Sequence, residues 1–159
     1  MLIENEAMTP PKRALVLGIG GQDAAYLSKF LLSMGYQVIG TSRDAMLANR
    51  TSLASLGIES QVQLVSMAPT DFRSVLQTVR RHAPDEIYHL AGQSSVGLSF
   101  DQPVETIESI AIGTLNVLEA IRFVERPIRL YHAGSSECFG DTDGQAANEL
   151  TPFRPRSPY

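Results

Sequence analysis

The chain has 159 residues, 43% of them hydrophobic and 19% charged, and a formal net charge of −4. That length is enough to bury the core of one domain, and that charge gives neither a nucleic-acid backbone nor an anionic membrane a reason to bind. The single cysteine, Cys138, cannot pair within the chain and suits a reducing cytoplasm; no apolar run reaches bilayer length, and the N-terminus lacks the basic and apolar regions of a secretory signal.

Residues 1–12 are polar, contain Pro10-Pro11 and read as a flexible leader. Residues 13–159 read as one domain. Arg13–Leu17 (RALVL) is an apolar run cut off by Gly18, the pattern of a buried parallel strand. Residues 21–34 place Ala25, Leu27, Phe30, Leu31 and Met34 at helical period, and Gly35 stops the helix. A second strand is expected over 36–41, a helix over 45–56 closed by Gly57, and a third strand over Val62–Ser66. A helix over 70–82 starts from Thr70 or Asp71 as N-cap. A strand over 86–90, a long helix over 104–124 and a strand over 128–132 follow; from Ala133 the chain is rich in Gly, Ser, Asp and Pro and reads as loop. Strands alternating with helices predict an α/β fold with a doubly wound parallel sheet of Rossmann type.

The turn after the first strand carries Gly18, Gly21 and Ala24 at the spacing of a G-x-x-G-x-x-G fingerprint. Glycines there let the backbone turn sharply and approach a pyrophosphate, and the following helix N-terminus offers N–H groups and a positive dipole end. Alanine in the third place is tolerable, since that position serves helix–sheet packing. At the end of the second strand an acid selects a ribose hydroxyl and an arginine a ribose phosphate. Ser42-Arg43-Asp44 offers both: Arg43 favours NADP, and Asp44 keeps NAD open as the alternative. His82, His89 and His132 are scattered over separate elements without metal-ligand spacing, so no metal is expected.

From Lys12 to Tyr159 the sequence resembles the extended short-chain dehydrogenases/reductases, and within them the GDP-mannose 4,6-dehydratases. The resemblance is carried by Gly18-Ile19-Gly20-Gly21-Gln22-Asp23, by the stretch from Pro84 through His89-Leu90-Ala91-Gly92-Gln93-Ser94, and by Ser99-Phe100-Asp101-Gln102-Pro103. It continues in Gly113-Thr114-Leu115-Asn116-Val117, Ser135-Ser136-Glu137 and Pro155-Arg156-Ser157-Pro158-Tyr159.

The resemblance implies roles. Gly18, Gly21, Gln22, Asp23, Arg43, Leu90, Ala91 and Gln93 would bind the cofactor, and Ser94 and Ser136 the nucleotide-sugar. Tyr159 would take the proton of the sugar 4-hydroxyl, its phenol acidified by a lysine four residues on, while C4 gives hydride to the cofactor. Ser135 would hydrogen-bond the 4-oxygen. Glu137 would remove the C5 proton as the C6 hydroxyl leaves, before hydride returns to C6. Epimerases of this type have no carboxylate at that place, and glucose-type dehydratases carry Asp-Glu rather than Ser136-Glu137.

The expected reaction is thus conversion of GDP-mannose to GDP-4-keto-6-deoxymannose, by a homodimer or homotetramer joined through residues 70–82 or 104–124. Another nucleotide-sugar epimerase or 4-keto reductase, or an inactive nucleotide-binding homologue, are the alternatives. Leu17 stands where the family usually has threonine, Met67-Ala68-Pro69 where it has an adenine-contacting acid, Ser95 for a histidine and Phe139 for a tyrosine. The lysine after Tyr159 and a smaller C-terminal substrate domain lie beyond the given sequence, which is expected to be an inactive part of a longer enzyme.

Overall fold

The computed structural model describes residues 10–159. Most of the leader expected over 1–12 therefore lies outside the described residues. Five parallel strands form one sheet in the order β3-β2-β1-β4-β5. They are β1 (Arg13–Leu17), β2 (Gln37–Ser42), β3 (Val62–Ser66), β4 (Glu86–His89) and β5 (Arg129–His132).

Side chains of β1 alternate across the sheet and so build two cores. Ala14 and Val16 pack with Ala24, Ala25 and Leu31 of α1 (Gln22–Ser33) and Leu53 of α2 (Thr51–Ser55). Leu15 and Leu17 pack on the other face with Val75 and Val79 of α3 (Phe72–His82) and Val117 and Ala120 of α6 (Gly113–Phe123). Every one of these side chains is at most 3% exposed. At roughly 25 cal/mol per Å² of apolar surface, burying each large one stabilises the fold by about 1.5–3 kcal/mol.

The Asp71 side chain accepts from the Arg73 N–H and caps α3, and Ala83 in the left-handed region ends it. Buried Glu86 is satisfied by two phenols: Tyr88 and Tyr36 donate to its carboxylate oxygens at 2.7 and 3.1 Å.

Several elements depart from the sequence reading. The helix expected over 45–56 shrinks to Thr51–Ser55. Asp44 Oδ1 accepts from the N–H groups of Met46 and Leu47, and Ala45 donates to Ser66 Oγ, so local side-chain bonds outcompete the helical ladder. The long helix of 104–124 is α5 (Pro103–Ile107) and α6 joined by a π-turn over Glu108–Ile112. Inside the expected loops, α4 (Val96–Asp101) and a 3₁₀ turn over Ser136–Phe139 form, each capped by a serine hydroxyl, Ser95 and Ser135 respectively.

Candidate active-site cleft

The strand order reverses between β1 and β4, because the chain crosses from β3 at one edge to β4 beyond β1. Connections leaving two such neighbours go to opposite faces of the sheet and leave a crevice at the carboxyl ends of the strands. A cleft of about 1320 Å³ opens there. Gly18 and Gly21–Ala24 after β1, Ser42 at the end of β2 and Arg43 after it, Met67 and Pro69 after β3, Leu90–Ser94 after β4 and Ala133 after β5 line it.

The glycine loop is held from both sides. The Ile19 N–H donates to the Thr41 carbonyl at 3.1 Å, and Ile19 rests on Gly40, where a β-carbon would overlap the Ile19 side chain. Gly18 has φ +80°, and a β-carbon on it would lie 2.9 Å from the Leu90 carbonyl oxygen. Gly21 is the N-cap of α1 and contributes no side-chain bond, so the first N–H groups of that helix face the cleft free to bind an anion. These features fit a dinucleotide pyrophosphate.

Exposed Arg43 makes no ion pair among the described residues, whereas the Asp44 carboxylate is occupied by the turn it closes. Leu17 is completely buried in the core, and Met67 is 1% exposed, so neither replacement leaves a polar group toward the cofactor. Gln93 lines the cleft but spends its amide on the loop: Nε2 donates to the Ser95 carbonyl and Thr106 Oγ1, and Oε1 accepts from the Ser95 N–H. Ser94 is exposed on the same wall.

Ser135, Ser136 and Glu137 begin three residues beyond β5, whose ladder to β4 is extended by the Ala133 N–H donating to the His89 carbonyl. Ser135 Oγ accepts from the Glu137 N–H at 3.1 Å, which leaves the hydroxyl proton free to donate to a substrate oxygen. Ser135, Ser136 and Glu137 follow closely on the cleft-lining Ala133, but neither they nor half-buried Tyr159 are part of the cleft wall. The sequence reading missed the wall made by Asp101, Gln102, Pro103, Glu105, Glu108 and Ser109. Its signal was the Ser-Phe-Asp-Gln-Pro stretch, which leads into α5.

The family model described as GDP-mannose 4,6 dehydratase matches residues 15–159. The chain belongs to this family. A GDP-mannose 4,6 dehydratase of Drosophila melanogaster is 41% identical over 93% of the chain and 40% of its own length. That of Vibrio cholerae is 38% identical over 93% and 42%. The chain thus spans less than half the length of these GDP-mannose 4,6-dehydratase relatives. Among solved structures, the dTDP-glucose 4,6-dehydratase DesIV of Streptomyces venezuelae, with NAD bound, superposes with a TM-score of 0.79 at 25% identity. It is matched over 92% of this chain and 47% of its own. UDP-glucose 4-epimerase from Brucella ovis, in complex with NAD, has a TM-score of 0.79 at 21% identity, covering 93% of this chain and 43% of its own; that likeness concerns the fold. No helix among the described residues is long and apolar enough to cross a membrane, and no group of three metal-ligating side chains gathers among them.

Proposed function

We propose that the whole protein dehydrates GDP-mannose to GDP-4-keto-6-deoxymannose, with NADP as its bound cofactor. The observation that carries this reading is the Ser135-Ser136-Glu137 turn on the carboxyl end of β5, beside a cleft shaped for a dinucleotide.

Gly18, Gly21 and the N-terminus of α1, with Gln22 and Asp23 in its first turn, would hold the pyrophosphate. Leu90, Ala91 and the Gln93 loop would form the floor beneath the nicotinamide. The guanidinium of Arg43, which has no ion pair among the described residues, supports a ribose 2′-phosphate, while the engagement of Asp44 weakens the case for a bare ribose diol. When bound, the cofactor would supply the hydride acceptor for C4 and the hydride donor for C6.

The protein's own groups move the protons. Tyr159 accepts the 4-hydroxyl proton, with Ser135 donating to the same oxygen. The ketone so formed acidifies C5, Glu137 removes that proton, and the carboxyl group then protonates the departing C6 hydroxyl, so that water leaves. Ser94 and Ser136 would contact the nucleotide-sugar. A reducing, cytoplasmic setting suits Cys138, which is unpaired.

Val104, Ile107, Ile112, Leu115 and Leu118 form an apolar stripe along α5, the π-turn and α6, each at least 41% exposed. A second copy of the protein covering this stripe would make the homodimer or homotetramer. α3 is the weaker candidate, because its Phe72 already meets Phe123 of α6 edge to face.

Incubating the whole protein with GDP-mannose and NADP tests the activity. A sugar nucleotide lighter by one water, with a 4-keto group, is expected. A 4-epimer without loss of water would replace this reading with that of an epimerase.

A further inference from the structure

The two chain segments that carry the proposed proton-moving groups are fastened to each other. Gly140 closes the Ser136–Phe139 turn at φ +66° and ψ −140°, a region open in practice to glycine alone. A β-carbon on Gly140 would also overlap the Arg154 carbonyl oxygen, so the backbone of the second segment lies directly on the first. The Arg154 N–H donates to the Cys138 carbonyl at 2.9 Å. The Phe139 and Phe153 rings meet edge to face with centres 5.4 Å apart, and the Arg156 guanidinium lies 3.3 Å from the Asp141 carboxylate. Glu137 directly precedes Cys138 on one arm, and Tyr159 follows Arg156 by three residues on the other.

We propose that Gly140 is a positioning residue, a clasp that fixes where the Glu137 arm sits relative to the Tyr159 arm. This rests on the dehydratase reading above. Tyr159 serves the step in which C4 loses hydride and its hydroxyl proton. Glu137 serves the next, in which the C5–H and C6–O bonds break, the C5–C6 double bond forms and water departs. The first step takes its base, Tyr159, from one arm and only a hydrogen bond, that of Ser135, from the Glu137 arm. The second needs the carboxylate to reach C5 and C6 of the same sugar while the Tyr159 arm still holds it. Slippage between the arms therefore costs oxidation one hydrogen bond but costs elimination its acid–base group, and slows elimination more, since a misplacement of about 1 Å can cost on the order of 100-fold in rate.

The test uses the whole protein carrying Gly140→Ala. Before substrate is added, hydrogen exchange should show the Arg154 amide protected in the wild type and exchanging at least about tenfold faster in the variant, while the core amides of β1 and β4 are unchanged. With GDP-mannose, kcat for water loss should fall about tenfold or more at a KM within about twofold of wild type. The variant should also release 4-keto sugar that keeps its 6-hydroxyl, matched by one equivalent of reduced nicotinamide seen by absorbance.

Phe153→Ala removes the ring contact without forcing the backbone and should show the same partition, more weakly, should Gly140→Ala not fold. Product from the wild type, together with wild-type partition in the folded variant, overturns the clasp and leaves the dehydratase reading standing. Absence of product from the wild type overturns that reading, and the clasp's catalytic role with it.

Discussion

Gly18 and Leu90 approach so closely that the glycine loop and the end of β4 share one backbone surface: a β-carbon on Gly18 would stand 2.9 Å from the Leu90 carbonyl oxygen. Gly35 has the same φ of +80° with nothing within 4 Å of its would-be β-carbon. The pair separates two costs. Gly35→Ala should lower stability by the backbone term alone, about 1 kcal/mol. Gly18→Ala adds the backbone collision, and should lower the melting temperature further and weaken dinucleotide binding at least about tenfold by calorimetry. Equal effects of the two substitutions on binding would remove Gly18 from the pyrophosphate site.

Arg43 should decide between the two dinucleotides. A charge-assisted bond to a phosphate is worth about 1.5–3 kcal/mol, so Arg43→Gln should weaken NADP by roughly 10- to 100-fold and leave NAD within about twofold. Asp44→Asn should alter NAD affinity little, because its carboxylate serves the N–H groups of Met46 and Leu47. Titration of both dinucleotides into the wild type and the two variants checks this, and a loss of NAD alone on removing the Asp44 charge would reverse the assignment.

Glu137→Gln and Tyr159→Phe, each in the whole protein, should lower turnover of GDP-mannose by about 100-fold or more with circular dichroism unchanged, since each removes a proton-transfer group. They should differ in kind. Tyr159→Phe slows the first step, whereas Glu137→Gln lets a 4-keto sugar form and stalls before water is lost. Wild-type rates from either variant would strip that residue of its role.

His89 gives stability a pH dependence. It is 1% exposed, neither ring nitrogen has a hydrogen-bond partner among the described residues, and the His132 ring lies 5.2 Å away. Burial foremost, and His132 second, push its pKa down to about 4. The unfolded chain, titrating near the ordinary value of 6.5, therefore binds more protons than the folded one at pH between these values. Stability is full above about pH 6.5, falls as pH drops, and has lost on the order of 3 kcal/mol once pH reaches about 4. Melting temperatures at about pH 7.5 and about pH 5 should differ in the wild type and differ less in His89→Leu. An identical difference in both proteins would place the sensitivity elsewhere.

The sheet and its glycine loop are legible in the amino-acid sequence, because β1 is an unbroken apolar run stopped by glycine and the strands that follow recur between helical periods. The cap of α3 is legible to within two residues, Thr70 or Asp71, from their place before an amphipathic run, and the structure gives the role to Asp71. What the sequence hides are competitions decided by single side chains. Asp44 and Ser66 dismantle the first turns of a stretch whose composition suits a helix, and period alone cannot register that. α4 hides in a loop because its stop signal, Pro103, is also the start of the next helix. At the cleft, residue types point to Gln93, yet its amide is consumed by Ser95 and Thr106, partners that only folding brings within reach. Gly140 reads as one more loop glycine, since its partner Arg154 is far along the chain.

The π-turn over Glu108–Ile112 carries one residue more than a regular helical turn would. Its Ser109 hydroxyl accepts from the Gln93 N–H, while beyond it Asn116 donates to the Pro69 carbonyl at 2.8 Å. Removing a single residue here would restore regular winding and swing everything downstream by about 100°, carrying Val117 and Ala120 out of the core and the apolar stripe to a new bearing. Related chains should therefore keep the spacing between Ser109 and Asn116 without gaps, while the polar stretch at 142–148 can gain or lose residues freely.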